Sequence, residues 1–370
     1  MTIYQELQLN QAGSKRLISA SSNPGEKFRH IAIYLLKIIL TVAFCVVFVS
    51  GFTYVFGEEN GVAGVGVLLA LLAFRQVHLG FMPAQSFWVM LGIFAILAIG
   101  PHAANQVPMG IACLINIACI FMMLVLGCHN VLYFNHATFL LAYLLLYGND
   151  VTGELYIKRV IGVLLGGLWV ALLMYRKHRK AECRRSFVDV LKEFCLESTR
   201  SQWQLKLALG VCLSMLAGEW IGLPRSMWIG IAAMSILQPF DSDRKTKMGY
   251  RFLGTLAGCA GFLILIRILP ESSYGLLGII GGIGVGFCAT YQWQTVFNAF
   301  GALGIAMSFY GSSGSVTLRV INNGFAVLFV ILFVPAFDWL LHQIKKIVKN
   351  KKDTLETDAV CSKCEDKIDL

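Results

Sequence analysis

Between residues 31 and 341 the chain is a succession of apolar runs parted by breaks of only a few polar residues. A helix needs about 20 apolar residues to cross the hydrocarbon of a bilayer. The runs fall at approximately 31–56, 61–77, 85–100, 107–127, 131–147 and 157–175, and again at 204–222, 225–238, 249–269, 274–291, 294–310 and 317–341. This pattern predicts an all-α, polytopic integral membrane protein of about twelve transmembrane helices. With 57% hydrophobic and 14% charged residues over 370 positions, and a mean hydropathy of +0.68, the chain is too apolar for a soluble domain of this size.

Charge supplies the orientation. The polar N-terminal segment 1–30 carries Lys15, Arg16, Lys27 and Arg29 without a secretory cleavage pattern, and reads as a cytoplasmic tail. Basic residues also crowd the linker 176–203, the loop DSDRKTK at 241–247 and the tail 342–370. Positive-inside sorting places all four on the cytoplasmic side, which requires an even number of spans in each half. Six spans in 31–175 and six in 204–341 satisfy that requirement. The same sorting accounts for most of the net charge of +10, so no nucleic-acid partner is expected. Most of the 11 cysteines lie within apolar runs, where they behave as small hydrophobes. Cys361 and Cys364 are the one close pair in the tail; with no second pair beside them no metal site or cofactor is assigned.

The two halves can be laid over one another. NHATFLLAYLLLYG at 135–148 aligns with NAFGALGIAMSFYG at 298–311, Arg159-Val160-Ile161 follows in step with Arg319-Val320-Ile321, and LLKIILTV around Lys37 matches QLKLALGV around Lys206. Two copies of one orientation predict parallel six-helix repeats about an axis along the membrane normal, a known transporter plan. Glycines at helical spacing, Gly162 and Gly166, Gly254 and Gly258, and Gly278, Gly282 and Gly286, predict close helix packing.

Ionisable groups at membrane depth cost about 2.5–3.5 kcal/mol each on insertion scales, so they mark cavities or partners. Lys37 and Lys206 lie near the cytoplasmic ends of their spans, and either can snorkel back to the interface. Arg159 and Arg319 open spans from the outer side, against the positive-inside trend, with Asp150 and Glu154 available to pair with Arg159; Arg251 opens its span from the inner side. Glu219, Asp241 and Asp338 are the carboxylates available for proton coupling. Between Pro224 and Pro239 the eighth span is short, as is its counterpart at 62–74, and such paired short segments point to a binding site. Trp228 at one end offers a stacking surface or an interfacial anchor, and Gln238 at the other an amide.

The stretch WIGIAAMSILQPFDSDRKTKMGYRFLGTLAGCAG, Trp228 to Gly261, resembles the signature of the fusaric acid resistance family, which includes the aromatic acid exporters. A Trp-bearing helix there ends in a polar turn, and a basic residue precedes Arg-x-x-Gly-Thr-x-x-Gly. Trp228, Gln238, Pro239, Lys247, Arg251, Gly254, Thr255 and Gly258 occupy those positions here. The plant aluminium-activated malate transporters are similar in this stretch. Larger members carry an extensive cytoplasmic domain, for which this chain has only the linker 176–203. The resemblance implies anion transport, with a periplasmic adaptor as a family partner.

Together these readings lead to an expectation of a gradient-driven exporter of small organic anions, aromatic carboxylates foremost, in a bacterial inner membrane with both termini cytoplasmic. Lys37 and Lys206 would draw the anion in, Arg159 and Arg319 would stand near the exit, and Arg251, Trp228 and Gln238 would complete the substrate contacts. No Walker pattern, nucleophile motif or acid/base pair supports an enzyme. A passive organic-anion channel and a membrane scaffold are the rival readings. A homo-oligomer is compatible with these readings.

Overall fold

The computed structural model describes residues 2–365 apart from 134, 184, 239, 240, 275 and 289. Side chains are described except also at 241–244, 272, 276, 279, 286, 305, 308 and 348–365. Among the described residues there is no strand; the helices are α1 (Ile3–Gln8), α2 (Gln11–Ala20), α3 (Pro24–Phe56), α4 (Gly61–Phe74), α5 (Pro83–Asn105), α6 (Met109–Gly127), α7 (Asn135–Tyr147), α8 (Gly153–His178), α9 (Phe187–Lys192), α10 (Thr199–Trp220), α11 (Ser226–Ile236), α12 (Asp241–Ile268), α13 (Leu276–Phe287) and α14 (Tyr291–Glu365).

Among the described residues six helical segments are long and apolar enough to cross a membrane: α3, α5, α6, α8, Lys245–Ile268 within α12 and Phe309–Ile347 within α14. This is half the number the apolar runs suggested, because several runs fold as short helices. α4, α7, α11 and α13 have 14, 13, 11 and 12 residues, or about 16–21 Å at 1.5 Å per residue, against hydrocarbon about 30 Å thick. Three of them are interior elements. Nine of the eleven residues of α11 are buried, and nine of the thirteen of α7, whereas only four of the 33 residues of α3 are. A short helix ending inside a membrane protein is tolerated where protein surrounds its open backbone groups.

Several boundaries differ from the sequence reading. The N-terminal 30 residues are not a simple tail: Thr2 and Asn10 cap α1 and α2, and both helices pack against α3. DSDRKTK is not a loop but the first two turns of α12. The last two runs are joined without a loop, since α14 changes direction at Gly311 alone, where φ of +66° suits a residue without a Cβ. Of the linker, 179–183, 185–186 and 193–198 lie outside helices, and α9 is the one short helix among its described residues.

The helices of 24–178 and those of 199–347 meet along two seams. Along one, α6 packs on α10 and α7 on α11, and the Gln204 amide donates to the carbonyls of Leu124 (3.0 Å) and Cys128 (3.4 Å). Met227 of α11 fills the space beside Gly148, at the end of α7. Along the other, α3 meets α13 through an edge-on contact of Tyr34 with Phe287 at 5.9 Å. There the Tyr34 hydroxyl and the Gln11 amide donate to the carbonyls of Phe287 and Val285, both at 3.4 Å.

Candidate functional site

Beside that second seam a cleft of roughly 960 Å³ separates α3 and α4 from α13 and α14. Its walls are mostly apolar, with Val42, Cys45, Val46 and Val49 on α3 and Val65, Leu68 and Leu72 on α4. Polar groups gather toward one end, where Lys37, Thr41, Arg75 and Gln76 line it. Lys37 and Ser50 both line the cleft, so it follows α3 for thirteen residues, or about 20 Å. The facing wall is made partly of Gly278, Gly282 and Gly301, and a Cβ on any of these would meet nothing within 4 Å. Gly278 and Gly282 are therefore not the packing glycines their spacing suggested; they border open space. Gly162 against Phe52, Gly166 against Val67, and Gly254 and Gly258 against Thr295 and Ala299 do pack closely, while the Gly286 environment lies outside the described residues.

The Lys37 ammonium points toward the N-terminal helices. It donates to the Leu9 carbonyl (3.2 Å) and to the Ser14 hydroxyl, and sits 5.0 Å from the Tyr34 ring centre. Leu7 to Gln11 line the cleft beside it. The segment is held down by Glu6, which is only 3% exposed and pairs with His30 at 2.7 Å and Arg29 at 3.3 Å.

The other proposed residues separate into distinct environments. Lys206 forms an ion pair with Asp338 at 2.7 Å, and the two share a groove of roughly 300 Å³ with Gln238, Trp203 and His342. Gln238 thus joins Lys206 and not Trp228. Arg159 is buried and each of its nitrogens has a partner: Nε donates to Asn60 Oδ1 (2.8 Å), and its two terminal nitrogens to the carbonyls of Asn149 (2.6 Å) and Glu59 (3.0 Å). It staples the loop after α3 to the loop after α7. Asp150 pairs with His102 at 3.0 Å and Glu154 with Lys158 at 2.8 Å, rather than with Arg159. Glu219 accepts from the Tyr147 hydroxyl (3.0 Å) and the Ser226 hydroxyl (2.6 Å), linking α7 to α10 and α11. The Asp241 side chain and those of Cys361 and Cys364 lie outside the described residues.

Arg251 and Arg319, which the sequence placed at opposite faces of the membrane, come together. Asn323, one turn after Arg319 on α14, accepts from Arg251 Nε at its Oδ1 (3.0 Å), while its amide donates back to the Arg319 backbone carbonyl (2.7 Å). Both arginines are 5% exposed. Trp228 is buried too, not interfacial, and the Arg319 guanidinium lies 4.9 Å from its ring centre.

Residues 213–333 match the sequence profile of the family described as fusaric acid resistance protein-like. Over that segment, about a third of the chain, the protein is similar to that family. The matched residues run from α10 to α14 and contain Trp228, Arg251 and Arg319. That likeness points to membrane transport of small molecules, and the several apolar helices speak for a multi-pass protein within a lipid bilayer. No curated protein and no solved structure matches the chain.

Sequence reasoning missed Arg75, Asn60, Asn149, Asn323 and Arg225. Arg75 and Arg225 stand just beyond the ends of short spans, where a cation has an ordinary interfacial explanation. Arg225 adopts φ of +61°, stacks on Phe309 at 5.0 Å and donates to Asn149 Oδ1 at 3.3 Å. Of the asparagines only Asn323 lies deep in an apolar helix, where an amide needs a partner; Asn60 and Asn149 stand in the loops after α3 and α7, where the sequence carries no such signal.

Proposed function

We propose that the protein is a gradient-driven exporter of small organic anions, with aromatic carboxylates as its main cargo. The observation that carries this reading is the cleft between the two helical bundles, apolar along its length and cationic at one end. A carboxylate with an aromatic body matches such a lining: the ring is sheltered by Val42, Val46 and Leu68, and the charge is met by Lys37 and Arg75. Single cations suit passage, because binding must be strong enough to admit the anion and weak enough to release it. The Leu9 carbonyl and Ser14 hydroxyl now hold Lys37; a carboxylate replaces these neutral acceptors with a stronger, charge-assisted bond.

In this reading the cleft opens to the cytoplasm, both termini lie on that side, and the membrane is a bacterial inner one. Twelve membrane-embedded helices form two parallel repeats, with α3 and α10, and α6 and α13, as equivalent pairs. Glu219 is the carboxylate poised for proton coupling, because its partners are hydroxyls from both bundles and Asp338 is already committed to Lys206. A periplasmic adaptor would receive the cargo.

The test is efflux of a hydroxylated benzoate from loaded cells. Gly301→Leu, which puts a side chain into the cleft, and Lys37→Gln are each expected to lower efflux at normal protein levels, and an uncoupler is expected to stop it in the wild type. Undiminished efflux in both variants would overturn the reading; efflux insensitive to the uncoupler would make the protein a passive channel.

A further inference from the structure

The strongest unexplained feature is the pair Arg251 and Arg319. A guanidinium remains charged under all physiological conditions and cannot escape burial by losing a proton. Buried charges in proteins are therefore paired, and an unpaired one is strongly unfavourable. Here two lie within electrostatic reach of each other, and among the described residues no carboxylate forms an ion pair with either. Asp243, the nearer of the two aspartates at the start of α12, precedes Arg251 by eight residues, about 12 Å along the helix. Glu219 is engaged by Tyr147 and Ser226.

The hydrogen-bond inventory points the same way. Arg251 Nη2 and Arg319 Nε are buried with no partner. Each belongs to a side chain that the surroundings hold in place: Asn323 takes the Arg251 Nε–H, and the Trp228 ring covers the Arg319 guanidinium. What remains is an in-plane N–H on each of two fixed, mutually repelling cations. This is the donor set that carboxylates and other small anions accept from. Arg319 lies nineteen residues from Asp338 on the same helix, about 28 Å away, so this place is remote from the Lys206 groove.

We infer that Arg251 and Arg319 form an internal anion site, held by Asn323 and Trp228, that one small anion with exposed acceptor atoms occupies in the working protein. Two sources share that chemistry, the carboxylate of an organic acid and an inorganic halide. The inference does not rest on the export reading, because binding can be measured without transport.

The experiment uses the full chain in detergent with gluconate as the bulk anion, titrated with sodium benzoate or sodium chloride while thermal unfolding is followed. A saturable rise in Tm is expected with at least one probe, since a ligand of the native state stabilises it by mass action. Benzoate alone acting identifies a carboxylate site; chloride acting as well identifies a general anion seat. Arg319→Gln should abolish the response, and Lys158→Gln, which removes one charge of an exposed i, i+4 pair, should keep it. Asn323→Ala retains both charges but frees Arg251, and should weaken the apparent affinity about tenfold, which serves as the second test where Arg319→Gln fails to fold. No response to either probe in the wild type, or an undiminished response in Asn323→Ala and in any folded Arg319→Gln protein, would overturn the site.

Discussion

The two seams between the helical bundles are built from similar materials to opposite ends. Where α7 meets α11, Gly148 gives its space to Met227 and Gly230 to Leu144 and Met215, and core residues of both bundles form one continuous cluster. Where α4 faces α14, Gly301 and its neighbours Gly278 and Gly282 give their space to nothing, and a cleft of roughly 960 Å³ remains. The same residue type thus marks a packed junction and an open one. Spacing alone cannot tell them apart; the volume of the side chain across the seam decides.

The contrast can be broken most directly by giving both seams a side chain. Gly148→Leu forces Met227 out of the packed seam and is expected to destabilise the protein by about 1–3 kcal/mol or more through overpacking. Gly301→Leu is expected to leave the unfolding midpoint near that of the wild type while reducing benzoate efflux about tenfold, since the added groups block a route without straining a core. Thermal unfolding and efflux measured on the same two proteins separate the outcomes.

A smaller effect is expected at the cationic end of the open seam. Lys37→Gln removes the charge but keeps an amide able to reach the Leu9 carbonyl. Efflux should fall several-fold with little change in unfolding, and an equal loss for the exposed pair variant Asp338→Asn would argue against a special role for Lys37.

The packed seam has its own sensitive point, where the linker meets the loop after α6. His129 is 6% exposed and touches Arg185 and Arg200, with Glu193 at 3.6 Å. Burial, reinforced by the charges of Arg200 and Arg185 and opposed by Glu193, holds its pKa below the ordinary histidine value. With the linker undocked, His129 is uncovered and binds more protons than in the docked state. Docking is fully stabilised above the ordinary value of about 6.5 and weakens as pH falls below it toward the lowered value. Limited trypsin cleavage within 179–198 should accelerate between pH 7.5 and pH 5.5, and His129→Gln should flatten that dependence.

Least is expected from the Lys206–Asp338 pair. With Asp338 45% exposed, its loss in Asp338→Asn should cost no more than about 1 kcal/mol in thermal unfolding.

Much of this architecture was legible in the chain. Apolar runs located the helices from α3 to α14, because their length and hydropathy register lipid directly. The Trp228 to Gly261 signature lies inside the segment that matches the family. Depth and pairing were not legible. Arg251 and Arg319 looked like ends of opposite spans, and their meeting through Asn323 depends on how α12 lies along α14. Likewise the polar N-terminus read as a tail because α1 and α2 are too short for a strong periodic signal, although Glu6 and Ser14 are buried by contacts with α3.

An export route through the open seam requires that water, and dissolved anions with it, fill the cleft. Cys45 lines that cleft, whereas Cys212 is 2% exposed beside the packed seam. In membranes carrying variants with one or other of these as the sole cysteine, reaction with an impermeant, negatively charged thiosulfonate should be rapid at Cys45, slower with a cationic analogue of equal size, suppressed by a hydroxylated benzoate, and undetectable at Cys212. Reaction of Cys45 only with a lipid-soluble maleimide, and unaffected by benzoate, would show a cleft filled by lipid and contradict the account.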